Sequence, residues 1–151
     1  MRSVYKKGWN SLAGFKPEVG FGLDNFQRPK VLSLKDSIAQ VISNLFFLRP
    51  GNIPSLPHIG INIREYLYRL DGDLDVEGLK EKIYSQCYEL ISIISIGEIK
   101  IFIAPYNGMD ILMIIIPIIG LGEEQNLVLA FAENNNELLF NYQFTDETLF
   151  N

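Results

Sequence analysis

The stretch that most constrains this chain is Arg49-Pro50-Gly51-Asn52-Ile53-Pro54-Ser55-Leu56-Pro57-His58-Ile59-Gly60, which lies between two segments that both read as helix. Each proline fixes its own φ and pushes the residue before it toward extended conformations. The glycines admit backbone angles that other residues resist. A stiff, sharply bent connector is expected, and it sets the angle between its flanking helices. As a Pro/Gly cluster it is an ordinary rigid loop; its spacing carries more, as developed below.

Upstream, residues 1–32 form an arm rich in glycine, proline and aromatics, with Tyr5, Trp9, Phe15, Phe21 and Phe26 spaced along it. No helical or strand period runs through it. Disordered tails are poor in aromatics, so this arm is expected to pack, either back on its own domain or along a neighbouring subunit through anchors such as Trp9, Phe15 and Phe21. Residues 33–151 then read as a single domain. Ser33 and Asp36 form a capping box. Behind it Leu34, Ile38, Val41, Ile42 and Leu45 make an apolar stripe at helical spacing, and the helix should stop near Leu48. Asn62 is placed to cap a short second helix with Glu65 at its third position and Ile63, Tyr66, Leu67 and Leu70 on its apolar face.

Asp71-Gly72-Asp73-Leu74-Asp75 is acidic enough to suggest a calcium loop. An EF-hand starting at Asp71 needs glycine sixth and glutamate twelfth, where this chain has Val76 and Lys82. A turn with Asp75 capping a third helix is the better reading. That helix runs to about Leu90 and turns Val76, Leu79, Ile83, Cys87 and Leu90 inward. From about Ile96 the period changes to two. Glu98 to Ile103 alternates, and Asn107-Gly108 marks a hairpin. Asp110 to Pro117 is continuously apolar, as a doubly covered central strand would be. After a break over 120–125 comes a strand over Leu127 to Ala132, a turn at 134–136, and a last strand carrying Leu138, Phe140, Tyr142 and Phe144. Helices followed by about four antiparallel strands is an α+β order, with the helices on one face of a β-meander.

Composition narrows the function classes. With 151 residues, 48% hydrophobic and 21% charged, the chain has the material for one proper core. A net charge of −5, with Lys6-Lys7 the only dense basic spot, gives a nucleic-acid partner no support. The greasy run Ile111 to Ile119 is far shorter than the roughly 20 residues a bilayer span needs, so no membrane partner is expected. The N-terminus has no basic-then-apolar signal pattern. Cys87 is the single cysteine, which excludes an intrachain disulfide and suits a reducing cytosol. His58 is the single histidine, so no histidine metal cluster and no Ser-His-Asp triad can be assembled. No phosphate loop or nucleophile elbow is present. No catalytic residue, cofactor or metal site is expected. The acidic residues Glu65, Asp71, Asp73 and Asp75 leave a two-carboxylate glycan hydrolase as the enzymatic alternative. Apolar surplus points elsewhere. The last strand, Leu138 to Phe144, is either internal or one that a partner completes by strand addition.

Ile42-Ser43-Asn44-Leu45, Arg49-Pro50-Gly51, Pro54, Pro57 and Gly60, followed by an Ile/Leu-rich helix, resemble the gene-25-type baseplate wedge proteins of contractile phage tails. That family carries R-x-G-x-x-P-x-x-P-x-x-G, then a helix, an acidic turn, another helix and a strand hairpin. The match runs from about Ser33 to Pro117. Two departures stand out. His58-Ile59 occupy the family's Glu-Phe position, and Glu89-Leu90-Ile91-Ser92 align with its Glu-Pro-Arg-Ile, so only Glu89 is kept. The resemblance implies a non-enzymatic virion protein of the tail baseplate, assembled in the host cytoplasm. It would be present in six copies, join larger wedge proteins, and start sheath assembly through its sheet by contact with the tail sheath subunit. Arg49, Gly51, Pro54, Pro57, Gly60 and Glu89 are then candidate partner-binding residues, with the equivalent subunit of a bacterial contractile injection system as a close variant.

Overall fold

The structure is a computed structural model that describes residues 34–70, 72–121 and 123–145. The 1–32 arm with Trp9, Phe15 and Phe21, and the Ser33 end of the capping box, lie outside the described residues.

Among the described residues three helices come first: α1 (Leu34–Phe47), α2 (Ile63–Leu67) and α3 (Val76–Leu90). Five strands follow: β1 (Ser95–Ile96), β2 (Lys100–Tyr106), β3 (Met109–Leu121), β4 (Glu123–Asn134) and β5 (Glu137–Thr145). All pairings are antiparallel, and the α+β order read from the sequence is the fold observed. The α1 helix stops two residues short of Arg49, as the proline demands. Its buried face is Ile38, Ala39, Ile42, Ser43, Leu45 and Phe46. The expected stripe is therefore rotated, because Leu34 and Val41 stand in solvent at 55% and 38% exposure. The Ser43 hydroxyl tolerates burial by donating to the Ala39 carbonyl at 2.7 Å.

Asp75 caps α3, its carboxylate accepting from the Gly78 N–H at 3.0 Å. Leu79, Ile83 and Cys87 are buried along α3 as expected, whereas Leu90 is exposed and Val76 only half-buried. Asn62 precedes α2 in a left-handed conformation, φ 54°, and its side chain makes no capping bond. The backbone geometry of the connector, not side-chain capping, starts that helix.

The first strand of the meander is split. β1 and β2 lie end to end along one side of β3, pairing with Ile118–Ile119 and with Met109–Ile115 respectively. Pro117 explains the split. Opposite it, Gly97 donates its N–H to the Pro117 carbonyl at 2.9 Å, but Pro117 has no N–H to return. The Tyr84 hydroxyl of α3 takes over: it donates to the Gly97 carbonyl at 2.7 Å and accepts the Ile99 N–H at 3.0 Å. A central strand thus carries a proline because a helix side chain supplies the missing partner.

Tight turns close two of the strand pairs. Asn107 and Gly108 (φ 50° and 76°) join β2 to β3, and Asn135 and Asn136 (φ 52° and 62°) join β4 to β5, both with the positive φ pair of a type I′ turn. Alternation then divides the sheet. Leu112, Ile114, Ile116, Leu127, Leu129 and Phe131 face the helices and join the main core. Phe131 sits at its centre, 5.1 Å from the Phe46 ring and 5.0 Å from Phe140. Full burial of each such side chain is worth about 1.5–3 kcal/mol. Ile111, Met113, Ile115, Val128, Ala130, Ala132 and Leu139 form a second cluster on the opposite face.

Candidate functional site

The connector turns back on the end of α1. The last carbonyls of a helix lack internal partners. Here Leu45 receives the Ile61 N–H at 2.8 Å and Leu48 receives the Asn62 N–H at 2.9 Å. Gly51 donates to the Pro57 carbonyl at 2.9 Å, and the Asn52 side chain accepts the Arg49 N–H at 2.7 Å, closing the loop on itself. Ile59 and Ile61 are driven into the core, with Ile53 and Leu56 packed against it. Arg49, Gly51, Pro54 and Pro57 consequently point outward, forming an exposed knuckle.

Gly60 fixes the knuckle to α3. Its N–H donates to Gln86 Oε1 at 2.9 Å and its carbonyl accepts from Gln86 Nε2 at 3.3 Å. Its φ is +134°, and a Cβ there would lie 2.7 Å from the Arg49 carbonyl carbon and 2.8 Å from Leu48 O and Pro50 N. Only glycine fits both constraints. One turn along α3, Glu89 receives His58 Nε2 at 2.7 and 2.9 Å from its two oxygens. This pair is solvent-exposed on both sides, so it adds direction more than stability. Of the sequence candidates, the structure sets Gly60 against Gln86 and joins Glu89 to His58, both contacts made by α3, and leaves Arg49, Gly51, Pro54 and Pro57 exposed on the connector. Gln86 was missed by pattern reading. Its signal was a polar side chain on the apolar face that runs Leu79, Ile83, Cys87.

A second surface lies where α3 meets β1. A cleft of about 780 Å³ opens between Tyr84, Cys87, Tyr88, Ile91, Ile94 and Ile96. Beside it Tyr88 and Ile93 are 86% and 59% exposed, and Ile119, the pairing partner of Ser95, is 47% exposed. Large apolar side chains grouped on a rim in this way are a mark of docking surfaces.

The last strand behaves differently. Phe140 and Tyr142 are buried in the main core, and Leu138 and Phe144 pack against it. Phe140 stacks on Phe131 and meets the Phe47 ring edge-on at 5.0 Å. Burial first, and the Asp36 carboxylate second, push the Tyr142 hydroxyl above its usual pKa. These four side chains hold β5 to its own helices, so a partner reaching this strand would meet its backbone.

Chemically, the surface offers recognition. Cys87 is 1% exposed, and desolvation pushes its thiol up to about 12, which keeps it protonated and unreactive. Among the described residues no three His, Cys, Asp or Glu side chains are grouped to hold a metal ion, and no helix is long and apolar enough to cross a membrane. No family model, curated protein or solved structure matches the chain.

Proposed function

We propose that this chain is a structural baseplate wedge subunit of a contractile tail, one that joins larger wedge proteins and initiates sheath assembly through its sheet. The observation that carries this reading is the Arg49 to Gly60 connector. Its R-x-G-x-x-P-x-x-P-x-x-G spacing resembles that of gene-25-type wedge proteins, and its geometry suits an adaptor: a rigid knuckle fixed from inside at Gly60, whose Arg49, Pro54 and Pro57 face solvent. The His58–Glu89 pair ties the knuckle to the C-terminal half of α3, and the apolar cleft lined by Tyr84 and Tyr88 of the same half, and by Ile91 just after it, gives a second contact surface. Such a protein works by holding two partners at a fixed angle, for which a stiff connector and a covered core are the requirements.

The test uses the purified, tagged full chain against a lysate of the organism or phage that encodes it. Recovery of the sheath subunit and of large wedge proteins, identified by mass, is expected, with recovery lost in a Tyr88→Ser, Ile93→Ser variant that keeps its far-UV circular dichroism. Sheath subunit mixed with wedge complexes should polymerise only when the chain is present. Capture of none of these proteins, together with cleavage of peptidoglycan by the chain, would replace this reading with a hydrolytic one.

A further inference from the structure

Two hairpin turns of the sheet share a backbone conformation and differ in chemistry. Asn107-Gly108 joins β2 to β3 and Asn135-Asn136 joins β4 to β5, with φ of 50° and 76° in the first and 52° and 62° in the second. All four residues are exposed. Only the first turn sets a glycine after an asparagine, and it is the single Asn-Gly pair in the sequence. Among the described residues, neither the Asn107 side chain nor the Gly108 N–H has a hydrogen-bond partner. The hairpin is closed by Tyr106 and Met109, the residues on either side of them. A Cβ at Gly108 would meet nothing within 4 Å, so the space around the pair is open.

We propose that Asn107-Gly108 is a site of spontaneous deamidation in the folded protein, with water as the only co-reactant. The Gly108 backbone nitrogen, passing its proton to solvent, attacks Asn107 Cγ. A five-membered succinimide closes as the new N–C bond forms, and the bond from Cγ to the side-chain nitrogen breaks to release ammonia. Water then opens the ring. Cleavage between Cγ and the Gly108 nitrogen leaves aspartate. Cleavage at the Asn107 backbone carbonyl leaves isoaspartate, in which the chain runs through the side chain. Glycine matters because a Cβ on the following residue shields its nitrogen and restricts the rotation that ring closure needs. The second turn lacks this opening: Asn135 is followed by Asn136, and Asn136 by Glu137, which is held opposite Asn134 in the strand pair. The products alter the surface. Either one adds a negative charge to a tip where Gly108, Asp110 and Glu133 line a cavity of about 290 Å³. Isoaspartate also adds a backbone atom to a two-residue turn whose length sets the register, so the Tyr106–Met109 end of the hairpin loosens. This inference is independent of the proposed function.

The test ages the unaltered full chain at mildly alkaline pH and follows each asparagine by peptide mass mapping. The peptide holding Asn107 should exchange amide for hydroxyl and split into separable aspartate and isoaspartate forms. Its rate should exceed that at Asn135 or Asn136 by about tenfold or more, the ratio that about 1.4 kcal/mol of extra barrier produces. Asn136→Gly puts glycine at a φ of 62°, which it adopts without strain, and should confer the same reactivity on Asn135 in a chain that keeps its far-UV circular dichroism. Chain enriched in isoaspartate should exchange its Met109 amide hydrogen faster than fresh chain. Conversion at Asn107 no faster than at Asn135 overturns the proposal, as does an unreactive Asn135 in the folded Asn136→Gly variant. So does a rate at Asn107 that climbs in step with the unfolded fraction in low urea, which would place the reaction in the unfolded chain.

Discussion

Replacing Gly60 with alanine should be among the most damaging single-methyl changes available to this domain. The added Cβ would meet three backbone atoms, at 2.7 Å from Arg49 C and 2.8 Å from Leu48 O and Pro50 N. None is a side-chain end that can swing away, because α1 and the connector are held by the Ile61–Leu45 and Asn62–Leu48 bonds. Backbone strain at a φ of +134° costs about 1–3 kcal/mol. Overpacking against fixed atoms adds about 1–3 kcal/mol. Together these give a loss of about 4 kcal/mol, a large part of the roughly 5–15 kcal/mol that holds a domain folded. Urea unfolding of the full chain, followed by far-UV circular dichroism, reads it directly. With a slope of about 2 kcal/mol/M, the midpoint should fall by about 2 M. Gly51→Ala is the control, since φ there is +94° but no atom lies within 4 Å of the new Cβ. It should cost about 1 kcal/mol, from conformation alone. Equal midpoint shifts for the two variants would refute the argument that close approach, and not φ, fixes Gly60.

Tyr84→Phe should cost about 2 kcal/mol by stranding the Gly97 carbonyl and the Ile99 N–H beside Pro117, and hydrogen exchange should quicken at Ile99 while the β4–β5 pairing stays protected. Asp75→Ala removes the α3 cap and should lower stability by about 1 kcal/mol, with Asp75→Ser recovering most of it in the same melt. Alkaline stability follows from Cys87 and Tyr142, both of which are held protonated by folding. The Cys87 contribution is whole below its ordinary value of 9.0 and is lost as pH rises toward about 12, with Tyr142 acting in the same direction. Cys87→Ala and Tyr142→Phe should each flatten the fall in unfolding midpoint above pH 9 and leave pH 6–8 unchanged in slope. Native Cys87 should stay unlabelled by thiol reagents at pH 8 and label rapidly in urea.

What local sequence could determine, it determined. Helix stops, the Asp75 cap, the Asn107-Gly108 and 134–136 turns and the switch of period from helix to strand are contacts within a few residues, and each was legible as spacing. The α+β order follows from them. The tertiary structure decided what depends on residues far apart. Gly60 reads as one more flexible residue until Arg49 and Leu48 are folded back against it, and Gln86 reads as a solvated polar group until it meets the Gly60 backbone twenty-six positions away. Pro117 looked compatible with an unbroken strand pair; the split of β1 from β2 required knowing that Tyr84 stands over the missing N–H. The aromatic run in β5 showed the same limit. Leu138, Phe140, Tyr142 and Phe144 share one face by strand period, but period cannot say whether that face meets a partner or α1, and the Phe47 and Phe131 rings decided it. Periodicity fixes which side chains travel together, and only the packed layers fix what they travel toward.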